Sequence, residues 1–221
     1  MSHSAKPAAQ PLDAATVVVL RDAAHGLEVY LVKRSRAVDF MAGAHVFPGG
    51  RLDQADISLA ACAVRETFEE AGLVLDPGAL VPWVRWITPE VSPKRFDARF
   101  FLARAPEGQE PKVDGREATE GLWIAPHEAL RRWEDGAMQL APATAKSIEL
   151  LVEYPTVAAA LVAAARRTPP LSMPVVWNDM ERGGAYISLP GDPRHPLPDV
   201  LGGSIRRFQL SEGRYRKVNA H

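Results

Sequence analysis

The chain has 221 residues and a mass of 24.1 kDa, enough for one domain with embellishments and a core that needs no staples. A net charge of −1 and an isoelectric point near 6.6 argue against the basic footprint of a nucleic-acid binder. The single cysteine, Cys62, excludes an internal disulfide and fits a reducing compartment, and the longest apolar run, Val157 to Ala165, is far short of the roughly 20 residues that a membrane span requires.

Residues 1–13 are rich in Pro and Ala and lack the apolar stretch of a signal peptide, so they read as a frayed tail on a cytoplasmic protein. Ala15 to Arg21 contains Val17, Val18, Val19 and Leu20 and predicts a buried strand. Leu27 to Lys33 alternates, with Leu27, Val29 and Leu31 facing one way and Glu28 and Tyr30 the other. Ala23 to Gly26 is the turn of a hairpin. A loop from Arg34 then ends in Phe47-Pro48-Gly49-Gly50, where glycine lets backbone approach a ligand or metal closely.

The following stretch, through Leu73, holds the chemistry. Ala61, Val64, Phe68 and Ala71 recur at helical spacing and predict the buried face of a helix closed by Gly72. Glu66 and Glu70 stand one turn apart with Glu69 beside them, which predicts three carboxylates on one face. Pairs of such charges about 5–6 Å apart repel by roughly 3 kcal/mol at an effective dielectric of about 20. Arg65 offsets part of this, and a hard divalent cation offsets more, because Mg²⁺ or Mn²⁺ takes carboxylate oxygens. Cys62 reads as a small packing residue, its thiolate disfavoured by the neighbouring acids. An acidic run is ordinarily a surface helix of Glu/Arg pairs; the paired glycines before it and the glycine after it favour a metal site.

RETFEEAGL fits R-E-U-x-E-E-x-G-U, the second half of the Nudix signature, so the chain resembles the Nudix hydrolases. In the first half, Gly50 is followed by five residues and then Asp56, where the family has Glu. Eight residues separate Asp56 from Arg65, against the family's seven. That extra residue resembles the coenzyme A-directed branch. So does the loop before it, which follows R-[SA]-x3-R-x3-G-x3-F-P-G-G at Arg34, Ser35, Gly43 and Phe47 to Gly50, with Asp39 in place of the second Arg.

Beyond the helix, Asp76-Pro77-Gly78 is a turn, Val81 to Thr88 a strand and Arg95 to Ala103 an alternating strand. The text TPEVSPKRFDARFF across them is similar to the type 19-like members of the same branch. Lys94 and Arg95 within it are candidates for substrate phosphates, against the ordinary reading of an exposed basic loop. An acidic stretch leads to a short strand, Gly121 to Ile124. Glu120 stands three residues before Trp123, where Nudix proteins commonly carry a Glu that binds metal or positions water, and Glu117 is the second candidate. Pro126 to Asp135, Ala143 to Tyr154 and Thr156 to Arg167 predict helices. Residues 168–221 are broken by prolines and predict a β-rich extension, with the loop from Leu189 to His195 either a rigid turn or a cover for the site.

The resemblance implies an α/β/α sandwich around a mixed sheet: a Nudix domain over 14–167 with the extension packed on it. It implies hydrolysis of a nucleoside diphosphate linked to another moiety. Glu66, Glu69 and Glu70 would hold metal with a backbone oxygen of Gly49 or Gly50. Asp56 would be a weak metal partner or a support behind the ligands, Arg65 would orient the glutamates, and Glu69 or Glu120 would take a proton from water. Arg34, Gly49, Arg51, Lys94 and Arg95 are the candidates to touch substrate. Coenzyme A or an acyl-CoA is the expected small-molecule partner. ADP-ribose, other nucleotide sugars, dinucleotides and a non-catalytic ligand-binding role are the alternatives. A homodimer is a family habit that no residue here demonstrates.

Overall fold

The computed structural model describes residues 8–35, 41–179 and 184–219, so Asp39 lies outside the described residues. Strand β1 (Leu12–Ala23) is central. Ala15, Val17 and Val19 enter one apolar cluster and Val18 and Leu20 another, so both faces are covered. Double burial is why this strand reads as a continuous apolar run.

β2 (Gly26–Arg34) returns antiparallel, pairing Leu20 with Val29 and Ala23 with Gly26. Beyond that point the two strands part. β3 (His45–Val46) pairs with the far end of β2, and β4 (Gly49–Arg51) pairs with the start of β1, Ala15 opposite Gly50. These two short strands, unforeseen in the sequence, fill the opening between β1 and β2. β5 (Val81–Ile87) is antiparallel to β6 (Phe96–Arg104), which runs parallel to β1; β7 (Ala118–Ile124) pairs with β2. β8 (Leu171–Ser172), from the proline-rich C-terminal stretch, joins the same mixed sheet beside β5.

Helix α1 (Leu59–Ala71) covers one face, where Cys62 and Ala63 pack with Ala15, Val17, Val19, Tyr30 and Val32. α2 (Pro126–Glu134), α3 (Pro142–Glu149) and α4 (Val157–Ala165) contribute Trp133, Ile148 and Ala160 to the cluster on the other face. The result is the α/β/α sandwich. Among the described residues no helix is long and apolar enough to cross a membrane.

β9 (Val175–Asn178), β10 (Ala185–Ser188), β11 (Arg207–Ser211) and β12 (Arg214–Lys217) form a separate antiparallel sheet, the expected β-rich extension. Its Phe208 ring lies 5.8 Å from that of Trp133, whose Nε1 donates to the Tyr215 carbonyl at 2.8 Å. Glu149, ion-paired to the buried Lys146, accepts from the Ser204 and Ile205 backbone amides. The loop from Leu189 to His195 is pinned rather than free. Asp192 is buried against Arg207, and His195 bonds to the Met173 carbonyl.

Candidate active site

Ser58 begins α1 by accepting the Ala61 amide, and Gly72 ends it in the left-handed region at φ 67, its N–H on the Phe68 carbonyl. The helix is rotated from the expectation. Its buried residues are Cys62, Ala63, Thr67, Glu70 and Ala71, whereas Phe68 is 55% exposed. Thr67 is accommodated inside because its hydroxyl donates back to the Ala63 carbonyl at 2.7 Å. This rotation turns Glu70 inward to β4, where its Oε2 accepts the Gly49 amide at 3.0 Å. The three glutamates therefore do not share one face equally. Glu70 is buried, the Glu66 side chain is mostly covered, and the Glu69 side chain is 54% exposed.

Gly50 faces Glu66 so closely that a Cβ there would lie 2.4 Å from its carboxylate. Burial pushes the Glu70 carboxyl up to about 7 against the Gly49 hydrogen bond, with the Glu66 and Glu117 charges adding to the rise and Arg34 opposing it. Burial also raises Glu66, against Arg65 and helped by Glu69 and Glu117. Glu117 is thus the loop carboxylate whose field reaches both inward glutamates. Glu120 sits beside it in sequence but pairs with Lys33 at 3.2 Å, and its charge bears on His45. His45 was missed in the sequence. It is buried on β3, and among the described residues its Nδ1 has no hydrogen-bond partner.

Arg65 organises the acids. It holds Asp56 by two hydrogen bonds, Glu66 at 2.8 Å and Glu69 at 3.0 Å, and it donates to the Arg51 carbonyl at 3.2 Å. Both Asp56 oxygens are committed, and the Arg65 hydrogen bonds hold its carboxyl down at about 2. Asp56, expected as a weak metal partner or as a support behind the ligands, is placed against Arg65 by these two bonds. Among the described residues no three Asp, Glu, His or Cys side chains already surround one point. The reason is visible in the ion pairs, because Arg65 occupies an oxygen of Glu66 and of Glu69. The donor set nevertheless suits a hard cation: carboxylates, one of them buried and accepting the Gly49 amide, beside a residue stripped of its Cβ.

The substrate candidates divide. Arg34 acts electrostatically on Glu70, and Gly49 donates to it. Arg51 is exposed on β4, opposite Ala14, which on its other side pairs with Ala98 of β6; Lys94 precedes that strand at the same end and lies over the Phe96 ring. Arg95, expected at the substrate, is instead buried, donating to the carbonyls of Thr88 and Ala9. Its guanidinium secures the chain before β1, a role its exposed neighbour Lys94 gives no hint of. Trp83 and Trp86 both lie in the core.

A NUDIX domain model matches residues 11–145. Among curated proteins, the chain is 28% identical over 155 residues to putative nudix hydrolase 7 of Caenorhabditis elegans, covering 52% of each. It is 22% identical over 280 residues to acyl-coenzyme A diphosphatase NUDT19 of Xenopus laevis, covering 79% of this chain and 73% of that one. The match thus spans about half the length of the nematode relative. Among solved structures, a NUDIX hydrolase from Alicyclobacillus acidocaldarius superposes with a TM-score of 0.66 at 26% identity, over 72% of this chain and 99% of that one. With the family model matching more than half of its length, and with the acidic helix packed beside the paired glycines of β4, the chain belongs to the NUDIX domain family.

Proposed function

We propose that the chain is a divalent-metal-dependent pyrophosphohydrolase acting on coenzyme A or an acyl-CoA. The observation that carries this reading is Glu70, a buried carboxylate with a raised pKa, held by the Gly49 amide one turn from Glu66. An acid placed there lowers stability unless its charge has a use. A bound Mg²⁺ or Mn²⁺ would neutralise charge on a diphosphate and act as a Lewis acid.

Glu66, Glu70, Glu69 and the Gly50 carbonyl would hold the ion. Arg65, steadied by Asp56, sets the directions of Glu66 and Glu69. Water adds to one phosphorus as the bridging P–O bond breaks, giving 3′,5′-ADP and a phosphopantetheine or its acyl form, and the water's proton passes to a carboxylate. Glu69, Glu117 and Glu120 are the candidate acceptors. Glu117 is kept among them for its electrostatic reach to both inward glutamates. Arg34, Arg51 and Lys94 are the cations proposed to meet the phosphates.

The coenzyme A assignment is supported by the TPEVSPKRFDARFF stretch and by the likeness to the Xenopus laevis acyl-coenzyme A diphosphatase. The test is turnover of CoA, acyl-CoA, ADP-ribose, NADH and diadenosine polyphosphates with Mg²⁺, by the natural chain and by Glu70→Gln and Glu69→Gln. CoA cleavage lost in the variants with an unchanged fold is expected. Cleavage of ADP-ribose but not CoA would move the substrate to the nucleotide sugars. Full activity in both variants would remove the mechanism, and calorimetry detecting no divalent-ion binding would turn the reading to a ligand-binding regulator.

A further inference from the structure

The loop between β6 and β7 is fastened to the acidic helix before it reaches β7. The Gln109 side chain bonds both backbone groups of Val74, accepting its N–H at 2.8 Å and donating to its carbonyl at 3.4 Å. The Lys112 amide then takes the Ala71 carbonyl at 2.8 Å, at the helix end that Gly72 closes. Farther along, the Ser35 amide donates to the Glu117 carbonyl at 2.8 Å. The loop therefore crosses from the neighbour of Glu70 to the neighbour of Arg34, and Glu117 ends the crossing. Its charge accordingly raises the pKa of both Glu66 and Glu70.

The turn that carries Glu117 is built on Asp114. Its carboxylate gathers three successive backbone amides: Oδ1 accepts from Arg116 at 3.1 Å and Ala118 at 2.9 Å, and Oδ2 accepts from Glu117 at 3.0 Å. Aspartate suits such a turn because its short side chain reaches amides just ahead of it. Gly115 supplies the left-handed step at φ 74, and its N–H bonds the Ala118 carbonyl. Burial pushes the Asp114 carboxyl up, but the three amides outweigh it and hold it below its ordinary 3.8, so the capping group is the anion at neutral pH. Both backbone groups of Glu117 are thus committed, while among the described residues its exposed carboxylate makes no hydrogen bond or ion pair.

Glu120 is turned the other way. The next residue, Gly121, points toward Tyr30, which packs on the α1 side of the sheet. Successive strand residues alternate, so Glu120 points to the opposite face, where it meets Lys33. We propose that Asp114 is a positioning residue for the metal site: it fixes the turn that carries Glu117, and Glu117 rather than Glu120 is the loop carboxylate that serves the ion at Glu66 and Glu70. The inference rests on the metal-dependent reading above.

The test is a double-mutant cycle read by calorimetric titration of Mn²⁺ into the full chain without substrate. Asp114→Ala and Glu117→Gln should each weaken Mn²⁺ binding at least tenfold, the range for groups that support a metal site. The double variant should bind no more weakly than Glu117→Gln alone, because Asp114 acts through that carboxylate. Asp114→Asn keeps one acceptor oxygen and should recover part of the loss. Asp114 is exposed, so circular dichroism should be unchanged throughout. Additive losses, natural Mn²⁺ affinity in either single variant, no recovery in Asp114→Asn, or a natural chain that binds no Mn²⁺ would each overturn the proposal. A natural chain that binds Mn²⁺ but cleaves no diphosphate would instead end the hydrolase reading, and the cycle would still decide the role of Asp114.

Discussion

Arg65 grips Asp56 with two arms of its guanidinium, Nε to Oδ1 at 3.0 Å and Nη2 to Oδ2 at 2.9 Å. The same residue also reaches Glu66 and Glu69, so a fixed Arg65 means fixed glutamates. Removing Asp56 frees the arginine without touching the buried Glu70. Supporting residues of this kind typically cost 10–100-fold in metal affinity or activity. Asp56→Ala is therefore expected to lower kcat/KM by roughly that factor, with most of the loss recovered at high Mg²⁺. A kinetic titration of Mg²⁺ in both proteins checks this. A loss that no metal concentration relieves would place Asp56 in the chemistry itself.

The strands, the acidic helix and the β-rich extension were legible because each depends on local pattern. Val17 to Leu20 is a double-sided strand, and Gly72 is a left-handed helix end. The orientation of α1 was not legible. Apolar spacing nominated Phe68 for the interior, but Thr67 and Glu70 lie there, since a self-bonded hydroxyl and a carboxylate capped by the Gly49 amide are satisfied without water. The hydrogen-bond partners of Arg95 and Asp56 were hidden for a related reason. Charged residues in a motif advertise a ligand, and only tertiary partners reveal that Thr88, Ala9 and Arg65 have already claimed them. β3 and β4 are too short to have a period.

The Asp192–Arg207 pair should dominate the stability of the C-terminal sheet. Both side chains are almost fully buried and are joined by hydrogen bonds of 2.8 and 2.9 Å. Asp192→Ala would leave Arg207 charged and alone, at a cost of about 3–5 kcal/mol. Burial alone would raise the Asp192 pKa, but Arg207 and the Arg194 amide outweigh it and hold the pKa below its ordinary 3.8. A depressed carboxylate contributes stability above its unfolded pKa and loses it as pH falls through the folded value. The natural chain should thus lose stability in acid below the usual carboxylate range, and Asp192→Ala should lose less there. Urea midpoints at neutral and acid pH measure both effects; equal acid sensitivity would assign the loss to other groups.

Cys62 should be inert in the folded chain. It is fully buried, and burial together with the Asp56 and Glu66 charges pushes its thiol up to about 12. Only a trace of thiolate exists at neutral pH, and thiolate is the reactive form. Iodoacetamide is expected to leave the native protein unmodified over a period in which the urea-unfolded chain is fully alkylated. Mass spectrometry reads this directly, and rapid native labelling would mean that α1 opens locally.

Gly49 and Gly50 are adjacent, yet their replacement by alanine should fail in different ways. A Cβ at Gly49 would lie 2.5 Å from the Ala15 carbonyl and 2.7 Å from the Thr16 Cα, both backbone atoms of β1. Backbone cannot yield locally, so Gly49→Ala should destabilise the fold by about 1–3 kcal/mol, as overpacking does. At Gly50 the nearest atoms to the new Cβ would be those of the Glu66 carboxylate, at 2.4 Å. That carboxylate ends a flexible side chain and can swing away, so Gly50→Ala should unfold at nearly the natural temperature. The displaced Glu66 would leave the place from which it is proposed to hold metal, and turnover should fall at least tenfold, the range seen when groups supporting a metal site are lost. Thermal melts beside Mg²⁺-dependent assays separate the two outcomes. A Gly50→Ala protein that melts normally and turns over normally would show that the position of Glu66 against β4 has no part in catalysis.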